Sequence, residues 1–164
     1  MTAWTIRPAS AGDRDRIVAD LEDWGMRPVA RLGELYDPAG DPALLAVDAD
    51  GMQCGLLTYR IDDRGLEIGT LHAATQRQGI GSALVDAAMA AAREAGIARV
   101  WLVTTNDNLD AIRFYQRRGF KLSALRPDAV REARKLKPEI PAVGDFGIPI
   151  TDELDLERWV APRQ

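Results

Sequence analysis

Two short stretches carry the residue types and spacings best suited to chemistry. In the first, Gln76-Arg77-Gln78-Gly79-Ile80-Gly81-Ser82, two glycines stand two apart ahead of a helical apolar run. A loop between a strand and a helix N-terminus is an anion site by construction. Unpaired N–H groups and the positive end of the helix dipole point the same way. Glycines at 79 and 81 let a diphosphate approach the backbone with no Cβ in the way. Three readings compete. A phosphate-binding P-loop requires a lysine and a hydroxyl residue after the second glycine, but Ser82 and Ala83 follow here. A dinucleotide fingerprint requires a third small residue, at a position that Leu84 fills. A tight turn with no ligand is the third. The second stretch is Asn108-Leu109-Asp110-Ala111-Ile112-Arg113-Phe114-Tyr115. Asn108, Ala111, Ile112 and Tyr115 stand at i, i+3, i+4 and i+7, so they share one helix face.

Taken together, the stretches resemble the two signature motifs of the GNAT-type N-acetyltransferase superfamily. Gln76 to Gly81 is similar to its Q/R-x-x-G-x-G/A motif. Asn108, Ala111, Phe114, Tyr115, Gly119 and Phe120 match its N-x-x-A-x-x-F-Y-x-x-x-G-F motif. The resemblance covers Trp4 to about Leu122. It implies an acyl-CoA donor, usually acetyl-CoA, as cosubstrate, and transfer to a primary amine by direct attack in a ternary complex. It also implies that the backbone of Gln76, Arg77, Gln78, Gly79, Ile80, Gly81 and Ser82 holds the pyrophosphate. Leu71, His72 and Ala73 would pair with the pantetheine arm, and a backbone N–H near Ala73 would face the developing oxyanion. Asn108 would hydrogen-bond the arm.

For such a reaction the proton inventory decides where help is needed. A lysine-like amine has a pKa of about 10.4, so its free form at pH 7 costs about 4.6 kcal/mol. The leaving thiol, at about 8.5, needs roughly 2 kcal/mol. A base therefore matters more than an acid. Glu67, four residues before Leu71, stands where similar acetyltransferases often place a glutamate, and it is the expected base, directly or through a water. A solvated strand-edge carboxylate is the alternative. Tyr115 is the expected acid toward the departing sulfur; a core tyrosine is the alternative. His72, the single histidine, is either a structural residue or a participant in base catalysis. Cys54 reads as a buried apolar thiol, because no motif activates it as a nucleophile. No carboxylate–histidine cluster has ligand spacing, so no metal is expected.

The elements that must position these residues follow from periodicity and punctuation. Trp4 to Pro8 reads as a strand, and Ser10 with Asp13 forms a capping box for a helix bearing Ile17, Val18, Leu21 and Trp24 on one face. Gly25 stops that helix. A second helical piece is expected over roughly Pro28 to Tyr36. Two strands joined around Ala49-Asp50-Gly51 form a hairpin, a turn at Asp62–Gly65 follows, and "LEIGTLHAA" is the next strand. A helix then runs to Ala95, with Gly96 as its stop. "ARVWLVTT" is an apolar strand buried on both faces, and the helix Leu109 to Arg118 ends at Gly119. "FKLSALR" is a strand, Pro127 opens a short basic helix, and "DELDLERWV" is a last strand with Leu154 and Leu156 inward. The order predicts an α/β (α+β) fold: a mixed, mostly antiparallel sheet of about seven strands with helices on both faces. Residues 1–164 read as one domain, with 125–151 as an insert before the last strand.

Bulk composition agrees with this frame. With 164 residues, 46% hydrophobic and 28% charged, the chain can bury a core and is not a disordered polymer. A net charge of 21 − 25 = −4 argues against a nucleic-acid surface. One cysteine excludes an internal disulfide and suits a reducing compartment. "MTAWTIRPAS" lacks a signal-peptide apolar core, and no apolar run approaches a membrane span; a cytoplasmic protein is expected. The acceptor is expected near Trp24, Met26, Arg31, Tyr36 and the loop "VGDFGIPITDE", where Asp145, Asp152 and Glu153 would suit a cation or simply form a solvated rim. The tail could also complete a neighbour's sheet in a homodimer. The rival to an enzyme is a non-catalytic acyl-CoA-binding sensor or interaction module of the same fold. A general nucleotide-binding domain is disfavoured by the missing lysine and third glycine.

Overall fold

The computed structural model describes residues 3–75 and 78–160. Gln76 and Arg77 lie outside the described residues. Strand β1 (Trp4–Pro8) runs antiparallel to β4 (Ala43–Asp48), β4 to β5 (Gln53–Asp62), and β5 to β6 (Gly65–Ala73). With β7 (Arg99–Thr105), β8 (Lys121–Arg126) and β9 (Glu153–Trp159) they form a seven-stranded sheet in the order β1-β4-β5-β6-β7-β9-β8. This is the mixed, mostly antiparallel sheet that the sequence predicts. The helices among the described residues are α1 (Arg14–Asp23), α2 (Ile80–Glu94), α3 (Leu109–Gln116) and α4 (Ala129–Leu136). The chain packs as two compact units. One holds β1, α1, β4, β5, β6, α2 and the start of β7. The other holds β2 (Val29–Arg31), β3 (Glu34–Tyr36), the rest of β7, α3, β8, α4 and β9.

In the first unit, local chemistry sets the helix ends. The Asp13 carboxylate accepts from the Ser10 N–H at 2.7 Å, and the expected Ser10–Asp13 capping box is present. Past α1, Gly25 takes φ +66°, and the Met26 N–H reaches back to the Leu21 carbonyl at 2.8 Å. That is the six-to-one bond of a glycine C-cap. Ile17 and Leu21 are wholly buried against Leu45 and Leu56. The β5–β6 register shifts between Thr58 and Tyr59, so Gly69 has no partner across the pair. At this bulge the buried Thr58 and Thr70 hydroxyls bond each other at 2.7 Å.

Gly55 on β5 lies directly beneath the start of α2. A Cβ there would stand 2.6 Å from Ile80 Cγ2 and 3.1 Å from Leu84 Cδ1. Only glycine lets α2 approach this closely.

The second unit corrects two expectations. Residues 28–36 form the β2–β3 hairpin, not a helix. Its turn residues Leu32 and Gly33 have φ +53° and +75°, and the Leu32 N–H donates to the buried Glu153 carboxylate at 3.2 Å from each oxygen. Tertiary pairing thus holds a leucine in a conformation that its side chain disfavours. The second correction concerns β9. Leu156 is buried as expected, but Leu154 is half-buried, while Glu153 and Asp155 are buried. Arg126 on β8 pays for those carboxylates, donating to Glu153 at 3.2 Å and to both Asp155 oxygens at 2.6 and 3.0 Å. A register shift between Leu122 and Ala124 breaks the simple alternation.

Candidate active site

The first unit carries the glycine loop. Strand β6 ends at Ala73, and α2 begins at Ile80 with Gly79 as its N-cap. Gly79 takes φ +77° and, as a glycine, brings no side-chain cap to the helix. Among the described residues an added Cβ there would meet only the Trp4 ring, at 3.9 Å, and the positive φ itself calls for glycine. The first intrahelical bond runs from the Ala83 N–H to the Gly79 carbonyl at 3.0 Å. The amides ahead of it are those a helix N-terminus offers to an anion. Gln78 and Gly79 are exposed; Gly81 and Ser82 are half-buried. Ile80 turns inward and is buried, so its contribution to a loop site is its backbone. Leu71, His72 and Ala73 pair with Leu57, Leu56 and Gly55 of β5 and are half-buried.

Glu67 lies on the same strand but is only 1% exposed. It is therefore not the solvated edge carboxylate that was the alternative reading. His72 stacks on Trp24 with ring centroids 3.9 Å apart and planes at 21°. Burial lowers its pKa below the ordinary imidazole value, against an opposing pull from the Asp20 carboxylate. Cys54 is half-buried, and burial pushes its thiol up, which keeps it protonated.

The second unit carries the other motif. The Asn108 side chain caps α3, accepting from the Ala111 N–H at 3.3 Å and donating to Thr104 Oγ1 at 3.1 Å. Tyr115 is buried, edge-on to Phe114 and to Phe120 at 5.0 and 5.2 Å. Burial raises its phenol well above the ordinary tyrosine range, so at neutral pH it can only be a protonated donor.

The expected acceptor residues divide. Trp24 is committed to His72, and Met26 packs against the Ile17–Leu21 cluster. Arg31 is buried, paired with Glu34 and seated over the Tyr36 ring at 4.4 Å. Of the acidic trio, Glu153 is clamped by Arg126, Asp152 accepts from the Asp128 N–H at 2.9 Å, and Asp145 is exposed. They do not form one solvated rim. Sequence reasoning missed the Trp24–His72 stack, since nothing in the spacing of 24 and 72 announces it. Gly55 was legible only as a glycine interrupting a strand, a mark of close backbone approach. Among the described residues no cluster of three or more His, Cys, Asp or Glu could hold a metal ion. No helix of the described residues is long and apolar enough to cross a membrane.

The mixed seven-stranded sheet thus carries a glycine-capped helix after β6 and an asparagine-capped α3. The acetyltransferase (GNAT) family model matches residues 5–120, and the chain belongs to that family. The Bacillus subtilis (strain 168) protein YxbD, itself uncharacterized, is 47% identical over 150 residues, covering 91% of this chain and 94% of that protein. YdhI of the same organism, also uncharacterized, is 40% identical over 131 residues, covering 80% and 82%. Among solved structures, a GNAT family acetyltransferase from Elizabethkingia anophelis with acetyl-CoA bound superposes with a TM-score of 0.69 at 19% identity, covering 95% of this chain and 97% of that one.

Proposed function

We propose that the protein transfers an acetyl group from acetyl-CoA to a primary amine by direct attack. The observation that carries this reading is the N-terminus of α2. It is the next element after β6 and has glycine at its cap with φ +77°, which brings no side chain of its own to the anion position. These residues fit a diphosphate: the donors are backbone amides, and no carboxylate of the loop itself stands against an anion. The amides of Gln78 to Ser82 would hold the pyrophosphate, joined by Gln76 and Arg77 on the strength of the motif. Leu71 to Ala73 would align the pantetheine arm, and Asn108 would hydrogen-bond it. The bound thioester supplies an activated acetyl carbon.

The chain's own residues then have three tasks. They orient the acceptor, take its proton, and donate to the leaving sulfur. Tyr115, protonated at neutral pH, suits the third. The acetyl-CoA-bound Elizabethkingia anophelis relative supports the choice of donor, and membership of the family supports acyl transfer. The test is release of free CoA thiol from acetyl-CoA with a panel of amines, with the acetylated amine identified by mass. A second reading, an acyl-CoA-binding module without turnover, draws on the burial of Glu67. It predicts binding with no thiol release from any amine.

A further inference from the structure

We infer that His72, with its ring held against Trp24, is the general base that takes the acceptor amine's proton during transfer. This rests on the acetyl-transfer reading and deepens it. Glu67 is 1% exposed and lies further back on β6, opposite Arg60 where His72 is opposite Leu56, roughly 13 Å along the strand at about 3.3 Å per residue. His72 belongs to the Leu71–Ala73 segment assigned to the thioester arm and is half-buried.

The surroundings of His72 prepare it for this task. Trp24, at the C-terminal end of α1, covers one face at 3.9 Å and fixes the ring plane. On β5 the register partner is the wholly buried, apolar Leu56. The charged group acting on His72 from α1 is Asp20, which is itself engaged by Arg16 at 2.9 Å and by the Gln53 amide at 2.7 Å. The titratable group of neighbouring β5 is Cys54, a protonated thiol. Burial outweighs Asp20 and lowers the imidazole pKa, so the ring is neutral at pH 7 and free to accept a proton. The proton count balances. The neutral amine forms the N–C bond and its nitrogen becomes acidic. His72 takes that proton, the C–S bond breaks, and the thiolate takes up one proton while His72 releases one.

The chain has one histidine, so a single imidazole resonance reports its titration without assignment ambiguity. The experiment pairs that NMR titration with the pH dependence of log kcat/KM for a lysine-like amine. Wild type should fall with slope two below the His72 pKa, and with slope one above it, where only the amine titrates. The break should coincide with the NMR midpoint. His72→Gln should lower the rate at pH 7 by roughly 100-fold and leave slope one throughout, while CoA still raises its Tm. Should that variant fail to fold, Trp24→Ala decides. Opening the ring to water should move the NMR midpoint and the kinetic break upward together. A His72→Gln rate within about twofold of wild type with its break intact, or a kinetic break that ignores an NMR shift in Trp24→Ala, overturns the assignment. Wild type releasing no thiol with any amine overturns the acetyl-transfer reading, and this assignment with it.

Discussion

Adding one methyl at Gly55 tests how the fold delivers the anion site. The Cβ of Gly55→Ala would lie 2.6 Å from Ile80 Cγ2, 3.1 Å from Leu84 Cδ1 and 3.2 Å from Ala46 Cβ. Ile80 cannot swing away, because β-branching leaves its χ1 one strongly preferred well in a helix. The first turn of α2 must therefore lift from the sheet. Overpacking of this kind costs about 1–3 kcal/mol, which in a chain of this size lowers Tm by roughly 2–12 °C. The same displacement moves the amides after Gly79, so the Tm increase given by CoA should shrink as well. Urea unfolding of Gly55→Ala, Ile80→Ala and the double variant isolates the contact. Ile80→Ala alone should cost about 2–5 kcal/mol. The double variant should be less damaged than the sum by about 1 kcal/mol or more, because the deleted Cγ2 makes room for the new methyl. Strict additivity, or a Gly55→Ala protein with wild-type Tm and CoA response, would refute the reasoning.

Other outcomes follow from single interactions. Asn108→Ala should lose about 1 kcal/mol in denaturant unfolding through the lost α3 cap, and Asn108→Ser should recover most of it. Arg126→Met leaves Glu153 and Asp155 buried without their cation. The expected loss is about 2 kcal/mol, discounted because Arg126 is partly exposed, and the Leu32 amide should gain hydrogen exchange as the hairpin loosens. Asp13 is held well below the ordinary carboxylate range by the Arg7 guanidinium and the Ser10 amide. Its contribution to stability is complete above the unfolded value near 3.8 and fades as pH falls toward the depressed folded value. The gap in urea midpoint between wild type and Asp13→Asn should therefore narrow from pH 7 to pH 3. Tyr115→Phe should lower kcat while leaving CoA affinity unchanged; a wild-type kcat would remove Tyr115 from the acid role.

Much of the fold was legible because its punctuation is local. Gly25, Gly51, Gly79, Gly96 and Gly119 all take positive φ where the sequence places a stop, a hairpin or a loop. The alternating and apolar runs of β4, β5, β6 and β7 depend on near neighbours and were read within a residue or two. The misreading of 28–36 has a different origin. Leu32-Gly33 lacks the Asn-Gly or Asp-Gly pair that signals a two-residue turn, and what stabilises it is Glu153, more than a hundred positions away. The inward carboxylates of β9 were hidden for the same reason, since Arg126 makes their burial tolerable. At the candidate site the glycine loop and Asn108–Tyr115 carry their own signatures. The Trp24–His72 stack depends on where the end of α1 meets the end of β6, which no local pattern encodes.

The most direct test of the account is the thiol-release assay with wild-type protein, acetyl-CoA and a broad amine panel. Acetyl transfer predicts CoA thiol and N-acetylated amine appearing in equal amounts with at least one amine, and none without protein. Saturable binding of acetyl-CoA, with no thiol above the protein-free rate for any amine, would contradict it.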